Sequence, residues 1–353
     1  MSTRMNNRVL LGMSGGIDSS VAAIMLQEQG YEVVGITFLF SGSDEINEQL
    51  VNEAKSLAGK LHIKHITVDL RNKFSKTVIK YFTEEYRNGR TPFPCAYCNP
   101  KVKFKYLEEY AARERCSFIS TGHYVKIELY KGKKYIFQGA DPEKDQSFFL
   151  WGLKGDLLDR LIFPLGKFKK EEIRKFARQK GFTSLSNKKD SLGICFIEGN
   201  NYRKFLEKEG IRSEPGNFVD ENGNILGQHQ GIINYTIGQR RGLGLNINFP
   251  VFVAEIRLDD NEIVLKKYDK LYRSKIIIKN FYFIDNQPIT NNRTMIVKIR
   301  YRLQETPCRV NILNDTRAEV DLLKPEAMIA PGQTAVFYDG SRLVGGGFIE
   351  SSK

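Results

Sequence analysis

The chain has 353 residues, a length that predicts two or three domains. Hydrophobic residues make up 41% and aromatic residues 11%, a composition that excludes intrinsic disorder. Lys and Arg outnumber Asp and Glu by 54 to 41, and the net charge of +13 favours a polyanionic partner, although solubility alone would also explain it. No stretch approaches the roughly 20 apolar residues that span a bilayer, and the N-terminus lacks an apolar signal core. We therefore expect a cytoplasmic protein that does not associate with membranes.

Up to about residue 200, apolar runs alternate with amphipathic segments, which is typical of a parallel sheet covered by helices. Helical spacing of apolar residues and glycine stops define the segments. The predicted strands are 8–12, 31–39, 65–70 and 117–121, and the predicted helices are 19–29, 46–61, one ending near 88, and 169–180.

The pattern changes after about residue 200. A short helix at 202–208 precedes hairpin signals at 220–223 and 259–261, and from about residue 274 the sequence is almost wholly strand-like, with a late hairpin at Asp339-Gly340. Val297, Ile299 and Tyr301 alternate with Lys298, Arg300 and Arg302, which predicts one strand with an apolar and a basic face. This last part indicates a small barrel or sandwich.

The glycine-rich run Gly12-Met-Ser-Gly-Gly-Ile-Asp-Ser-Ser20 separates the first predicted strand from the first helix. Adjacent glycines allow a phosphate to approach the backbone, and a helix N-terminus directs its amides at an anion. A turn that merely caps the helix is the simpler reading, but open α/β sheets bind nucleotides at this place. Asp18 is unusual beside phosphates unless Mg²⁺ or a balancing charge accompanies it. The run fits neither the Walker nor the dinucleotide pattern, and it resembles the Ser-Gly-Gly-x-Asp-Ser signature of the PP-loop ATP pyrophosphatases.

Three of the five cysteines stand out. Cys95 and Cys98 lie in a proline-rich stretch that we predict to be a loop, and Cys195 lies in a second, glycine-containing loop. One CxxC pair is a poor zinc signal, and the surrounding prolines argue against a thioredoxin-like helix opening. Cys116, at the end of a predicted helix, and Cys308, in a predicted strand, are expected to be buried.

Taken together, the motifs resemble those of the tRNA-specific 2-thiouridylases over nearly the whole chain. They are the phosphate loop, the Pro-x-x-Cys-Asn-x-x-Val-Lys-Phe run ending at Phe104, Thr121-Gly-His-Tyr124, Lys144-Asp-Gln146, Gly193-Ile-Cys-Phe196, Gly227–Gly231, Tyr235–Gly244, Arg300-Tyr301 and Pro331-Gly-Gln333. The resemblance implies an α/β fold with three parts. These are a Rossmann-like parallel-sheet PP-loop domain (1–200), a small mixed central domain (201–273) and a C-terminal β-barrel that contacts tRNA (274–353).

The resemblance also implies the site residues. Cys98 and Cys195 would be catalytic and form a transient disulfide, with Cys195 receiving sulfur as a persulfide from a relay protein or a cysteine desulfurase. ATP would contact Gly12, Met13, Ser14, Gly15, Gly16, Ile17, Asp18, Ser19, Phe38 and Gly122, together with Mg²⁺. The anticodon stem-loop of tRNA would contact Phe93, Pro94, Cys95, Lys144, Asp145, Gln146, Arg300 and Tyr301.

The chain departs from the family at Phe93-Pro94-Cys95, where Asn-Pro-Asp is common. The Asn and Asp contacts to the target base are therefore absent. The change adds a third thiol, and Cys95, Cys98 and Cys195 form a candidate ligand set for a [4Fe–4S] cluster. Apart from this candidate and the Mg²⁺ that would accompany ATP, no metal site is expected.

Two sulfur routes remain open, a persulfide on Cys195 and this cluster. Both need thiolate character, which we expect Lys101 and Lys103 to promote. A PP-loop ligase for a small metabolite would leave the two cysteines unused, and a silent RNA-binding or sulfur-carrier protein would leave the ATP loop unused. Lys101, Lys103, Lys105, Arg240 and Arg241 are candidate RNA contacts, whereas Lys169, Lys170 and Lys175 are expected to form a solvated helix face.

Overall fold

The computed structural model describes residues 6–186, 193–284, 293–301 and 305–353. The strands are β1 (Arg8–Gly12), β2 (Glu32–Leu39), β3 (Lys64–Asp69), β4 (Phe118–Thr121), β5 (Val125–Tyr130), β6 (Lys133–Gln138), β7 (Leu161–Ile162), β8 (Gly216–Val219), β9 (Ile225–His229), β10 (Phe252–Arg257), β11 (Glu262–Lys266), β12 (Tyr272–Phe283), β13 (Met295–Lys298), β14 (Thr306–Asn314), β15 (Arg317–Ala327), β16 (Thr334–Asp339) and β17 (Arg342–Ser352). The α-helices are α1 (Ile17–Glu28), α2 (Asp44–Lys60), α3 (Arg71–Phe74), α4 (Lys80–Arg87), α5 (Pro94–Cys98), α6 (Phe104–Arg113), α7 (Gly155–Leu158), α8 (Lys170–Gln179), α9 (Thr183–Ser186) and α10 (Tyr202–Lys208).

The chain divides into two compact units. The first contains residues 1–78, 95–196 and 341–343, and the second contains 79–94, 197–340 and 344–353. In the described part of the chain, no helix combines the length and the apolar composition needed to cross a membrane.

The first unit is built on a five-stranded sheet in the order β3-β2-β1-β4-β7, and every pairing in it is parallel. This confirms the predicted α/β class. Helix α1 is buried along most of its length because its apolar residues pack with those of β1 and α8, including Val9, Val21 and Ile173. The antiparallel hairpin β5–β6 also belongs to this unit, and Phe137 of β6 pairs with Arg342.

The second unit carries two β-structures. The hairpins predicted around 220–223 and 259–261 are present as β8–β9 and β10–β11, which join in one sheet of order β10-β11-β8-β9. The C-terminal strands follow the order β12-β15-β14-β13-β16-β17, and a β12–β17 pairing closes them into the expected barrel. Alternating apolar residues such as Ile276, Val320 and Phe337 fill its interior.

Two local predictions were wrong. The strand expected through Tyr301 ends at Lys298, and Arg300 instead donates a hydrogen bond from Nη2 to the Ala327 carbonyl at 3.1 Å; Arg302 lies outside the described residues. The stretch around Cys95 is helical, because Pro94 occupies the first helical position, where its fixed φ is compatible with a helix and its missing N–H costs nothing.

Candidate active site

The phosphate loop leaves the sheet at Gly12 and enters α1 at Ile17, as predicted. Main-chain and side-chain bonds tie its start to β2. The Met13 amide donates to the Ile36 carbonyl at 2.8 Å, and the buried Thr37 hydroxyl donates to the Met13 carbonyl at 2.8 Å. The loop is therefore held at the carboxyl end of the central strands, where parallel sheets bind ligands.

Within the loop, hydroxyl groups organise the backbone. Ser19 Oγ accepts from the Ser14 amide at 3.1 Å and lies 3.3 Å from Ser14 Oγ. The Ser20 hydroxyl donates to the Gly16 carbonyl at 2.8 Å. Gly15 has φ +66°, a conformation that glycine adopts without strain. The run is thus a preformed turn that opens onto a helix N-terminus, which is a favourable place for an anion.

The carboxylate of Asp18, in the first turn of α1, forms an ion pair with the ammonium group of Lys170. Lys170 Nζ lies 2.7 and 2.8 Å from the two carboxylate oxygens, and the Tyr124 hydroxyl donates to Oδ1 at 2.6 Å. The expectation that Lys170 belongs to a solvated face was therefore wrong, since it is only 7% exposed. Its spacing to Ile173 and Ala177, three and seven residues later, was an available signal for the buried face of α8.

Gly122 lies directly on the loop. A Cβ atom at this position would meet the Asp18 carbonyl carbon and the Ser19 amide nitrogen at 2.9 Å, so only glycine allows this approach. The neighbouring His123 is buried, with Nδ1 2.6 Å from the Thr121 hydroxyl, and burial lowers its pKa well below the usual value. The low pKa favours the neutral form of the His123 imidazole.

Phe38 lies at the carboxyl end of β2, half-buried beside Phe40 and Tyr110 at ring distances of 5.8 and 6.1 Å. A flat, partly accessible aromatic face at a strand exit is suited to a nucleobase. A separate cavity of about 640 Å³ adjoins Gly15 and Ser20, but its lining includes Glu45, Glu48 and Glu53. Those carboxylates make it a poor surface for phosphate.

Cys95 and Cys98 occupy successive turns of one helical segment. The segment continues from α5 through a π-helical turn, Asn99–Lys103, into α6. Such widened turns occur frequently at functional sites. The buried Asn99 side chain donates to the Cys95 carbonyl at 3.0 Å and the Phe149 carbonyl at 3.2 Å, which fixes the segment against the 144–149 stretch.

The first unit contains the helix that carries Cys95 and Cys98, and it also contains Cys195. Cys98 is buried, Cys95 is half-buried and Cys195 is exposed. Burial raises the pKa of Cys98 to about 12, and the charges of Cys195 and Cys95 act in the same direction. Burial also raises the pKa of Cys95 to about 11, again with a contribution from Cys195.

The charge of Lys103 lowers the pKa of each of the three thiols, whereas desolvation by surrounding protein atoms has the larger effect and raises it. This holds even for Cys195, whose side chain remains accessible at the surface. The predicted effect of Lys103 is confirmed in direction, but the pKa values of the three thiols are raised overall, so the expected thiolate character is not found. No effect of Lys101 on the thiols is observed. Cys116 and Cys308 are buried as predicted.

The predicted RNA contacts differ in their availability. The Asp145 carboxylate is buried and accepts hydrogen bonds from the Gly139 amide at 2.9 Å and the Ser147 hydroxyl at 2.7 Å. Gln146 Oε1 accepts from the Tyr124 amide at 3.0 Å. Both therefore shape their own loop, whereas Lys144 lies half-exposed beside them.

In the second unit, Arg300 and Tyr301 are half-buried, and burial lowers the pKa of Arg300. Phe93 precedes the cysteine helix, and Pro94 is its first residue. Their segment is anchored by Gln333, whose Nε2 donates to the Thr91 carbonyl at 3.0 Å, and by the Thr91 amide, which donates to the Pro331 carbonyl at 2.8 Å. The Pro331-Gly-Gln333 motif thus has a structural role that the sequence did not reveal.

Metal binding depends on how the candidate ligands are arranged. Among residues 6–186, 193–284, 293–301 and 305–353, no group of three or more His, Cys, Asp or Glu side chains is arranged to hold an ion. The three cysteines, as placed, do not fit a [4Fe–4S] cluster. For Mg²⁺, the loop offers the Ser14 and Ser19 hydroxyls as oxygen donors, while the Asp18 carboxylate is already engaged by Lys170.

Comparison with known families agrees with this architecture. The family model of the tRNA methyl transferase HUP domain matches residues 7–199, that of the tRNA methyl transferase PRC-barrel domain matches 203–267, and that of the aminomethyltransferase beta-barrel domain matches 273–349. The fold and the loop at the exit of β1 thus define an HUP-domain protein of the PP-loop type.

Relatives that match nearly the whole chain identify its family. The chain is 44% identical to tRNA-specific 2-thiouridylase MnmA 3 of Phocaeicola vulgatus over 99% of this chain and 96% of that protein. It is 44% identical to MnmA 1 of Bacteroides fragilis, covering 98% of each chain. It is 41% identical to MnmA of Carboxydothermus hydrogenoformans, covering 97% of each. The chain belongs to the tRNA-specific 2-thiouridylase family.

Proposed function

We propose that this enzyme makes 2-thiouridine at the wobble position, position 34, of tRNA, consuming ATP and releasing AMP and pyrophosphate. Family membership supports the reaction class. The observation that supports the mechanism is that Cys95, Cys98 and Cys195 lie in the same compact unit as the phosphate loop, where the charge of Cys195 influences the pKa of the other two thiols. A ligase for a small metabolite would have no use for this thiol cluster.

The first step makes the C2 oxygen of uridine a leaving group. That oxygen attacks the α-phosphorus of ATP, pyrophosphate departs, and the oxygen leaves later as AMP. The helix N-terminus at Ile17 and the Ser14 and Ser19 hydroxyls would stabilise charge on the phosphates. Mg²⁺, when bound, would neutralise the departing pyrophosphate. We propose that Gly12 to Ser19 and Gly122 form this site, with Phe38 at the base.

The second step delivers sulfur. Cys195, the exposed cysteine, would receive a persulfide from a relay protein or desulfurase. The Cys98 thiolate then attacks the inner sulfur, which forms a Cys98–Cys195 disulfide and releases hydrosulfide. Hydrosulfide attacks C2 and expels AMP. Alternatively, the terminal sulfur attacks C2 first and expels AMP. The Cys98 thiolate then attacks the Cys195 sulfur, and the bond between that sulfur and the one on C2 breaks, which releases the thiolated base. Both routes end in the same disulfide, which an external thiol must reduce.

Assignment of the domains follows from this scheme. We propose that residues 1–200 adenylate and thiolate, that 201–273 form an adaptor, and that 274–353 contact tRNA through Arg300 and Tyr301. In the first part, Lys144 and Gln146 would lie near the target base. At the start of α5, Phe93, Pro94 and Cys95 would also lie near the base, with an aromatic ring and a thiol in place of the usual Asn and Asp.

Anaerobic reconstitution tests the proposal. Purified enzyme, tRNA, ATP and a persulfide donor should give 2-thiouridine, and pyrophosphate release should depend on tRNA. Cys195→Ser should abolish thiolation while AMP transfer to tRNA persists, and Cys116→Ser is the matched control. Pyrophosphate release that does not need tRNA would favour a small-molecule ligase, and activity that requires added iron and sulfide would favour the cluster route.

A further inference from the structure

The second unit contains a cavity of about 450 Å³ that the proposed chemistry does not use. Its described lining carries two arginines, Arg203 and Arg241, together with the side chains of Gln230, Asn234 and Gln239, and it contains no carboxylate. A concave site with convergent guanidinium and amide donors is suited to an anion.

One wall of the cavity is fixed by Arg203. Its Nη2 donates to the Asn234 carbonyl at 2.8 Å, and its guanidinium lies 5.3 Å from the ring centre of Tyr202. Tyr202 in turn stacks on Tyr86, with ring centres 5.0 Å apart and planes at 17°. This arginine is therefore held in place before any ligand arrives, which reduces the entropy lost on binding.

Another part of the lining is a turn that is fixed by hydrogen bonds and carries Arg241. Gln239 Oε1 accepts from the Thr236 amide at 3.1 Å, and its Nε2 donates to the Arg241 carbonyl at 3.0 Å. Gly242 follows with φ +73°. The backbone of Arg241 is thus fixed, while its exposed guanidinium makes no ion pair with another described residue.

We propose that this cavity binds a phosphodiester of the tRNA, with Arg241 as its main ligand and Arg203 as the second. The assignment rests on the proposed function for the identity of the polyanion. The cavity is large enough for a nucleotide, so the amide side chains would face the sugar beside the phosphate. Arg240, which precedes Arg241 in the sequence, is also exposed but does not line the cavity. Its guanidinium lies over the ring of Phe252 instead.

The test compares Arg241→Ala, Arg241→Lys and the matched control Arg240→Ala in the full-length protein. Loss of one charge-assisted contact should weaken tRNA binding about tenfold in Arg241→Ala. The slope of log K against log salt should fall by about 0.9, since one phosphate contact is gone. Arg241→Lys should restore the slope but only part of the affinity, because lysine keeps the charge without the bidentate geometry.

Arg240→Ala should match the wild type in slope. In thiolation assays, Arg241→Ala should raise KM for tRNA and leave kcat unchanged. If Arg241→Ala and wild type show the same slope and KM, the assignment is wrong even though thiolation proceeds. If the wild-type protein forms no 2-thiouridine but the salt dependence of its tRNA binding still requires Arg241, the phosphate site is supported and the proposed function is contradicted.

Discussion

The Lys170 ammonium group donates hydrogen bonds to both carboxylate oxygens of Asp18, at 2.7 and 2.8 Å. This pair connects α8 to the phosphate loop, although the two residues are 152 positions apart in the sequence. The Tyr124 hydroxyl binds the same carboxylate at 2.6 Å. The negative charge of Asp18 is therefore compensated by the positive charge of Lys170 before a nucleotide binds. Without this partner, its charge would repel the phosphates.

Lys170→Met should lower both stability and ATP use. The Lys170 side chain is 9% exposed and that of Asp18 is 35% exposed, so solvent screens the pair in part and we expect a loss of about 1–3 kcal/mol in unfolding free energy. Pyrophosphate release should fall more than tenfold because the uncompensated carboxylate opposes phosphate binding. Lys175→Met, on an exposed position of the same helix, is the control. Urea unfolding and pyrophosphate assays measure the two effects, and equal behaviour of the variants would contradict the role.

Gly122→Ala should impair nucleotide binding. The added methyl would lie 2.9 Å from the backbone of Asp18 and Ser19, which cannot move without distorting the loop. We expect Kd for ATP, measured by calorimetry, to rise at least tenfold. Gly59→Ala serves as control, because its Cβ would meet nothing within 4 Å and alanine favours a helix by about 1 kcal/mol. Unchanged ATP affinity in Gly122→Ala would show that the loop accommodates the methyl group.

Thiol reactivity should depend on pH and on Lys103. Burial raises the pKa values of Cys98 and Cys95 to about 12 and about 11, so below pH 11 their thiolate fraction, and hence alkylation, should rise about tenfold per pH unit. Exposed Cys195 should react with iodoacetamide first. Lys103→Met removes the charge that lowers these pKa values, so alkylation at pH 8 should slow by about two- to tenfold.

Lys105→Met is the control for that comparison, since Lys105 is exposed and acts on none of the three thiols. Mass spectrometry of alkylated peptides separates the cysteines. Faster alkylation of Cys98 than of Cys195, or equal rates in the two lysine variants, would contradict the arrangement of the thiols.

Gln333→Ala should loosen the segment that leads into α5. Its side chain holds the Thr91 carbonyl, and loss of this hydrogen bond should cost about 1 kcal/mol and increase amide exchange at 90–94. Gln228→Ala, on an exposed position of β9, is the control. Exchange at 90–94 that stays at the wild-type rate in Gln333→Ala would show that the clamp is unimportant.

The sequence was informative where function depends on local pattern. Alternating apolar runs predicted the parallel sheet, and the glycine-serine run predicted the loop at the exit of β1. It misled where a residue's environment is made by distant segments: Lys170 was assigned to solvent although its spacing to Ile173 was a usable sign. Similarly, prolines around Cys95 suggested a loop, although Pro94 is well placed to begin a helix. The raised thiol pKa values arise from three-dimensional burial, which no motif encodes.

The anchoring of Thr91 by Pro331 and Gln333 has a practical consequence for dissecting this enzyme. Gly332, with φ +90°, lets its strand connection approach Thr91 so closely that a methyl group would lie 2.8 Å from the Thr91 carbonyl oxygen. The last third of the polypeptide therefore helps to hold the segment at Thr91. A truncated N-terminal fragment would keep every sulfur atom proposed for the chemistry and still lose the hydrogen bonds that anchor this segment.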